Sequence, residues 1–383
     1  MPREAIYAVS ADPWTKGHTD IVRRALQIFD HVIVAIGVNP KKKYSFPLDM
    51  RKKMAQYSLV DFMDRIEVES FEGLLVDYAY MRGIKTLIRG IRDDIDFNFE
   101  KSMFQVNISQ KGIDEIFLFP SPQYEHISSS AVRELFRNQG NIVEYVDLRV
   151  KQSMEVQLSN LRLVGFTGLV GAGKTFMANK LCDMGSALYD MDFHNIELDV
   201  IGKNLLSKDS RPFAVDMRHN LVNTWEDTSL VVDPKDPNYF IDVKKLSRKI
   251  FTFPNALMTY NFISRDPILF ELNQQLRNKT GVAFINSALL IEAKLTPLCN
   301  NNVVFVKAPE DFRMENLKSR GYTGEELDGR MNGQMSGKGK EETFMKLIEE
   351  EWGQLLYLNN SPNIKDRDLA HLLEQIMNLT GCV

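Results

Sequence analysis

Two stretches of this chain, about 150 residues apart, each join an apolar strand-like run to a helical pattern through a short loop. The first is Thr15–His18 (T-K-G-H), after Ala5-Ile6-Tyr7-Ala8-Val9. The second is Gly168–Thr175 (G-L-V-G-A-G-K-T), after Leu161-Arg162-Leu163-Val164-Gly165-Phe166. At such a junction the unpaired N–H groups and the dipole of the helix start face an anion, which suits a polyphosphate. Two junctions of this kind predict two α/β units and two nucleotide-using activities in series.

At 383 residues the chain is too long for one ordinary core, so two domains are expected. The formal charge of −4 gives no general reason to bind nucleic acid. Two short basic clusters, Lys41–Lys43 and Lys338–Lys340, fit solvated loops as well as parts of a site. Cys182, Cys299 and Cys382 are widely spaced and odd in number. They imply no disulfide framework and no zinc site, and they fit a reducing compartment. The start of the chain lacks a secretory pattern, and no apolar run reaches about 18 residues. A cytoplasmic protein without a membrane span is expected.

The first 150 residues alternate strand and helix signals. Strands are expected at Ala5–Val9, His31–Val38, Arg65–Ser70, Thr86–Gly90 and Glu115–Phe119, with helices at His18–Phe29, Leu48–Asp61, Leu74–Arg82, Phe99–Lys111 and Ser130–Asn138. This order predicts a doubly wound parallel sheet with ligands beyond its carboxyl ends. Lys151–Asn160 reads as the tail of a helix and a short connection, giving domains 1–155 and 161–383. The second unit restarts with a strand at Leu161–Thr167 and a helix at Lys174–Asp183. Further strands are expected at Ala187–Asp190, Val282–Asn286 and Asn302–Val306. Helices are expected at Val243–Phe251, Asn255–Asn278, Glu310–Arg320, Glu325–Met335 and Asp366–Leu379, and Ser210–Pro237 reads as an irregular excursion.

In the first unit Gly17 permits close backbone approach, and His18 at the helix start can donate to a phosphate oxygen as charge builds. Ser128, Ser129 and Ser130 precede a helix; at least one reads as its N-cap, and together they offer hydroxyl and N–H groups to a phosphate. Arg89 and Arg92 follow a strand, Asp96 and Glu100 come next, and Lys42 falls in the loop after Val38. Residues 1 to about 150 resemble a bacterial-type phosphopantetheine adenylyltransferase nearly end to end. The stretches that carry the resemblance are D-P-W-T-K-G-H-T-D-I-V, F-D-H-V-I-V-A-I, F-E-G-L-L-V-D-Y-A, I-R-G-I-R-D-D-I-D-F and F-P-S-P-Q-Y-E-H-I-S-S-S. The resemblance implies attack of the pantetheine phosphate on the α-phosphorus of ATP, with loss of pyrophosphate. It implies that His18 and Lys42 stabilise that phosphorus and that Ser10 contacts a phosphate near it. Arg92 and Ser128–Ser130 would hold the leaving phosphates, with Gly17 and Glu100 also in the ATP site. Arg89, Leu74 and Asn107 would serve the pantetheine side. Magnesium and a homo-oligomer, trimer or hexamer, go with the family. One departure is Val9, where the family carries glycine.

Gly168–Thr175 fits the P-loop pattern G-x-x-x-x-G-K-[ST] in full. Gly168, Gly171 and Gly173 free backbone N–H groups for phosphates, Lys174 reaches the β/γ-phosphates, and Thr175 ligates Mg²⁺. The continuation through Asp190-Met191-Asp192, Leu289-Leu290-Ile291-Glu292, Arg320, Arg330–Gln334 and Asn359-Asn360 is similar to dephospho-CoA kinase. This resemblance implies a P-loop kinase sheet with a helical lid. Asp190 or Asp192 would take the proton from the ribose 3′-hydroxyl of dephospho-CoA, and Arg320 and Arg330 would close on the phosphates. The family's His-Pro pair appears here as Asp266-Pro267, its Asp-x-Pro-Leu-Leu stretch as Asn286–Leu290, and one lid arginine as Asn316, with Arg313 a turn earlier. The product of the first reaction is the substrate of the second. The two resemblances together therefore imply a chain that makes coenzyme A from phosphopantetheine and ATP. A second reading keeps the adenylyltransferase and makes the P-loop half a regulatory nucleotide binder.

Overall fold

The computed structural model describes residues 2–382 except 40–41, 93, 95, 99, 102–103, 105–108, 110–111, 254, 320, 322, 325–326 and 328–336. The chain divides into two units, residues 1–159 and 160–383. In the first, β1 (Glu4–Val9), β2 (His31–Val38), β3 (Ile66–Glu72), β4 (Thr86–Gly90) and β5 (Asp114–Leu118) form a sheet of order β3-β2-β1-β4-β5. Every pairing is parallel. The near-continuous apolar run of β2 is buried from Val32 to Ile36, as a central parallel strand requires. Helices α1 (Lys16–Ala25), α2 (Leu48–Ser58), α3 (Leu75–Met81), α4 (Ser129–Arg137) and α5 (Leu148–Leu158) belong to this unit. The chain leaves β1 toward β2 on one side and returns as β4 on the other. The carboxyl ends of β1 and β4 therefore bound a switch-point crevice.

The second unit repeats the plan with β6 (Leu161–Gly168), β7 (Phe193–Glu197), β8 (Gly281–Asn286), β9 (Asn302–Lys307) and β10 (Gln354–Asn359), in the order β10-β9-β6-β8-β7. All pairings are again parallel. Its helices are α6 (Lys174–Tyr189), α7 (Leu198–Ser207), α8 (Pro212–Trp225), α9 (Val243–Thr252), α10 (Ala256–Leu276), α11 (Glu310–Ser319), α12 (Gly337–Glu351) and α13 (Asp366–Thr380). Phe166 and Phe284 meet at 5.4 Å between ring centres, in a core shared with Met177, Leu181, Leu369 and Leu373 of α6 and α13.

Three expectations are corrected. Ala187–Tyr189 is not strand but the last turn of α6; the strand starts later, at Phe193. Ser210–Pro237 is not irregular throughout. Pro212 opens α8 at its first turn, where its missing N–H costs nothing, and α8 buries Met217, Leu221 and Val222. Lys340 is no solvated loop residue, because it is fully buried in α12. The helices expected at Phe99–Lys111 and Glu325–Met335 fall largely outside the described residues.

Gly168 ends β6 at φ +148°, and a Cβ there would lie 2.4 Å from the Val306 carbonyl oxygen of β9. Both the torsion and the space exclude a side chain. Gly168→Ala is expected to lower the stability of the second unit by about 1–3 kcal/mol. Urea unfolding followed in that unit checks it.

Candidate functional sites

The first crevice is a cleft of about 520 Å³. The structure brings Ser10, Gly17, His18, Lys42, Arg89, Arg92, Glu100, Ser128, Ser129 and Ser130 into its lining. Leu74 is not among them; it lies 61% exposed just before α3. Asn107 falls outside the described residues. Val9, the departure from glycine, lines the cleft at the end of β1.

His18 stands at the third position of α1 in a capping box with Thr15. Its Nδ1 accepts the Thr15 N–H at 3.0 Å and lies 2.9 Å from the Thr15 hydroxyl. An Nδ1 that accepts leaves the proton of the neutral ring on Nε2, free to donate. Burial first, and then the Arg92 charge, lowers the His18 pKa to about 4. Buried Trp14 packs against the imidazole at 5.1 Å and anchors its own N–H on Thr19 at 2.8 Å.

The three serines have different employment. Ser128 is the N-cap and accepts the Ala131 N–H at 3.0 Å. Ser129 donates to the Pro13 carbonyl at 2.8 Å, and Ser130 accepts from Arg133 at 3.2 Å. The arginines are held by carboxylates. Arg92 makes a two-pronged contact with Asp96, at 2.9 and 3.3 Å. Arg89 lies 3.2 Å from Glu100 and 3.6 Å from Glu115, whose side chain is fully buried. Burial raises the Glu100 pKa, which Arg89 opposes.

Asp12, in the loop after β1, lines the same cleft, and so does Arg133, which the sequence reading did not place there. The Asp12 carboxylate accepts the N–H groups of Ser45 and Phe46, at 3.0 Å each, in the loop that follows Lys42. Arg133 donates to the Asp12 carbonyl, approaches its carboxylate at 3.3 Å, and reaches Ser130. One fork thus ties the loop after β1, the loop after β2 and the start of α4. The sequence signal was Arg133 at one helical turn from Ser129 and Ser130. Arg133→Met, of similar length but without donors, is expected to reduce kcat/KM for ATP in the first unit by roughly 10–100-fold through misplacement. Steady-state kinetics with varied ATP checks this, and Arg133→Lys should recover part of the loss.

In the second unit the loop between β6 and α6 is held open by its partners. Gly171 and Gly173 have φ near +79° and +77°, and a Cβ on either would collide with Arg313 or Asn360. Arg313 donates to the Val170 carbonyl at 3.0 Å, Asn316 to Gly171 at 2.9 Å and Asn360 to Ala172 at 2.9 Å. Three successive carbonyls are thus bound by side chains. Lys174 lies across the loop, donating to the carbonyls of Gly168 and Leu169 at 3.4 and 3.3 Å. Thr175 donates to Glu197 at 2.6 Å.

Asp190 and Asp192 do not reach this loop. Asp190 caps the far end of α6, and Asp192 precedes β7, accepting from Thr280 at 2.8 Å just before β8. Both stand at the amino ends of the strands, and the P-loop stands at the carboxyl ends. The acid that does reach the P-loop is Glu197, at the end of β7, and Asp199 follows it in the first turn of α7. Asp199 accepts from the Ser287 hydroxyl at 2.9 Å, and Ser287 follows β8. Burial first, and then the Asp199 charge, pushes the phenol of Tyr260, on α10, up to about 12. Arg320 and Arg330 lie outside the described residues.

Residues 6–135 match the family profile described as cytidylyltransferase-like, and residues 162–351 match that of dephospho-CoA kinase. The phosphopantetheine adenylyltransferase of Acidovorax sp. (strain JS42) is 39% identical over 151 residues, spanning 39% of this chain and 91% of that protein. The phosphopantetheine adenylyltransferase of Christiangramia forsetii is 41% identical over 139 residues, spanning 36% of this chain and 91% of that protein. Among solved structures, TT1252 from Thermus thermophilus aligns with a TM-score of 0.41 at 19% identity, over 57% of this chain and 98% of that one.

Proposed function

This chain belongs to the phosphopantetheine adenylyltransferase family through its first unit and carries a dephospho-CoA kinase domain in its second; from that premise we propose that it performs the last two steps of coenzyme A assembly. The observation that supports this most is the gathering of His18, Lys42, Arg92 and the start of α4 around one cleft at the switch point.

In the first step a phosphate oxygen of phosphopantetheine attacks the α-phosphorus of ATP, and the bond to pyrophosphate breaks. His18 Nε2–H and the Lys42 ammonium neutralise the charge that builds on the α-phosphate oxygens. Arg92 and the start of α4 receive the β- and γ-phosphates. Arg89, Leu74 and Asn107 serve the pantetheine side, and Ser10, Gly17 and Glu100 complete the nucleotide wall. Catalysis here is positioning and charge neutralisation, with no covalent enzyme intermediate.

In the second step the ribose 3′-hydroxyl of dephospho-CoA attacks the γ-phosphorus of a second ATP, and ADP leaves. Lys174 holds the β/γ-phosphates, and Arg320 and Arg330 add charge to them. Asp199 replaces Asp190 and Asp192 as the base that takes the hydroxyl proton, since it stands at the carboxyl end of the sheet. Magnesium fits the donor set of this site, a Thr175 hydroxyl beside a Glu197 carboxylate, because it favours hard oxygen ligands and few protein groups. When bound it shields the triphosphate charge. Among the described residues, no group of three or more His, Cys, Asp or Glu is placed to hold a metal unaided. No helix among them is long and apolar enough to cross a membrane. A cytoplasmic homo-oligomer, trimer or hexamer, completes the reading.

The test is incubation of the protein with phosphopantetheine, ATP and Mg²⁺, with products followed by mass spectrometry. Dephospho-CoA followed by coenzyme A is expected. Dephospho-CoA accumulating alone would reduce the second unit to a nucleotide-binding module.

A further inference from the structure

Ser287 and Ala288, just after β8, are held from three directions. From β6, the Phe166 carbonyl accepts the Ser287 N–H at 3.0 Å, and the buried Thr167 hydroxyl donates to the Ser287 carbonyl at 2.8 Å. From α7, Asp199 accepts the Ser287 hydroxyl at 2.9 Å, while that hydroxyl accepts the Leu289 N–H at 3.1 Å. The third hold comes from α12. Lys340, fully buried, donates to the Ala288 carbonyl, and its ammonium lies 2.9 Å from the Glu292 carboxylate. The Glu292 side chain is only 7% exposed. Among the described residues, its Oε2 has no hydrogen-bond partner.

A buried ammonium and carboxylate are a poor source of stability. Desolvation consumes most of their attraction, and apolar side chains of like volume often serve as well or better. What an apolar pair cannot do is bind a carbonyl. We propose that Lys340, held by Glu292, is a positioning residue for phosphorylation of the acceptor. It fixes the Ala288 peptide and, through Ser287, the orientation of the Asp199 carboxylate. This rests on the reading of Asp199 as the base of a kinase. With no exposed surface, Lys340 acts through these neighbours and touches neither nucleotide nor acceptor. The geometric demand is steep, since a misplacement of about 1 Å can cost about 10²-fold in rate.

The test uses the full chain and separates stability from rate. Lys340→Met strands a buried carboxylate and is expected to lower the Tm of the second unit by about 10 °C. Adding Glu292→Leu removes the stranded charge and should bring Tm back close to its starting value. In that restored double variant, kcat for phosphorylation of dephospho-CoA is expected to stay about 10–100-fold low, with KM for ATP unchanged. A pair that serves folding alone would return kcat together with Tm, and that result would overturn the assignment. Where the methionine variants fail to fold, Glu292→Gln, of nearly the same shape, decides the matter. A kcat lower by about 10-fold at unchanged KM for ATP supports the proposal, and a kcat within a factor of about 2 overturns it. An unsubstituted chain that phosphorylates no dephospho-CoA would remove the kinase reading, and amide exchange then judges the tie by itself. Faster exchange of the Leu289 N–H in the double variant upholds it, and unchanged exchange overturns it.

Discussion

With His18 replaced by alanine, dephospho-CoA formation is expected to fall by about 10²–10³-fold, the usual cost of removing one donor aimed at developing charge. Phosphorylation of supplied dephospho-CoA should continue, since that chemistry belongs to the other unit. The substitution also removes the acceptor for the Thr15 N–H, so a stability loss of about 0.5–2 kcal/mol is expected alongside. His18→Asn keeps a short polar side chain for the cap and should still lose the rate. A pH profile separates the roles further. With its pKa lowered to about 4, His18 stays neutral from pH 6 to 8 and should give the first step no inflection near 6.5. Because the folded value lies below the unfolded one, the stability linked to this ring is fully present above about pH 6.5. It is lost as pH falls toward 4. A kinetic pKa near 6.5 that disappears in His18→Ala would show that the imidazolium, not the neutral ring, is the working form.

Asp199→Asn is expected to slow phosphorylation of dephospho-CoA by about 10²–10⁴-fold, the range for loss of a positioned general base. ADP release from ATP and dephospho-CoA is the measurement. Asp190→Asn and Asp192→Asn should each remain within a factor of about 2, as surface changes away from the site generally do. The contrast is topological. In a parallel sheet all strands end on one side, and residues before β7 cannot share the side of a loop that follows β6. Loss of activity in Asp192→Asn with retention in Asp199→Asn would refute the placement.

That error shows where the sequence stops being legible. Asp190-Met191-Asp192 and Glu197-Leu198-Asp199 share one spacing, and the first pair follows Leu188-Tyr189, which looks like the end of a strand. α6 instead runs the full 16 residues to Tyr189, because Met177, Ala178, Leu181, Cys182 and Gly185 keep one buried stripe against the sheet. Helix length is set by tertiary burial here, and local propensity does not encode it. The gathering of the first site was legible because its residues follow strand ends or open helices in the βα order, and their roles came from the resemblance. Arg133 was legible only as a helical neighbour of Ser129 and Ser130, since its tie to Asp12, 121 residues away, is tertiary. β10 escaped for a related reason: it is an edge strand, largely uncovered, and the alternation that marks a half-buried strand is weak in Gln354–Asn359.

The three side chains that bind the carbonyls of Val170, Gly171 and Ala172 change when the ordering of the P-loop is charged to the molecule. Fixing a loop residue costs about 1–2 kcal/mol of backbone entropy. With each of these peptide planes pinned from outside, that cost falls on folding of the second unit and not on arrival of the nucleotide. Because each peptide unit is planar, the same pinning of its carbonyl end also restrains its N–H end before any phosphate is present. Nucleotide affinity is then drawn from a preformed surface, and its tuning is delegated to α11 and the end of β10, whose side chains need never touch the ligand.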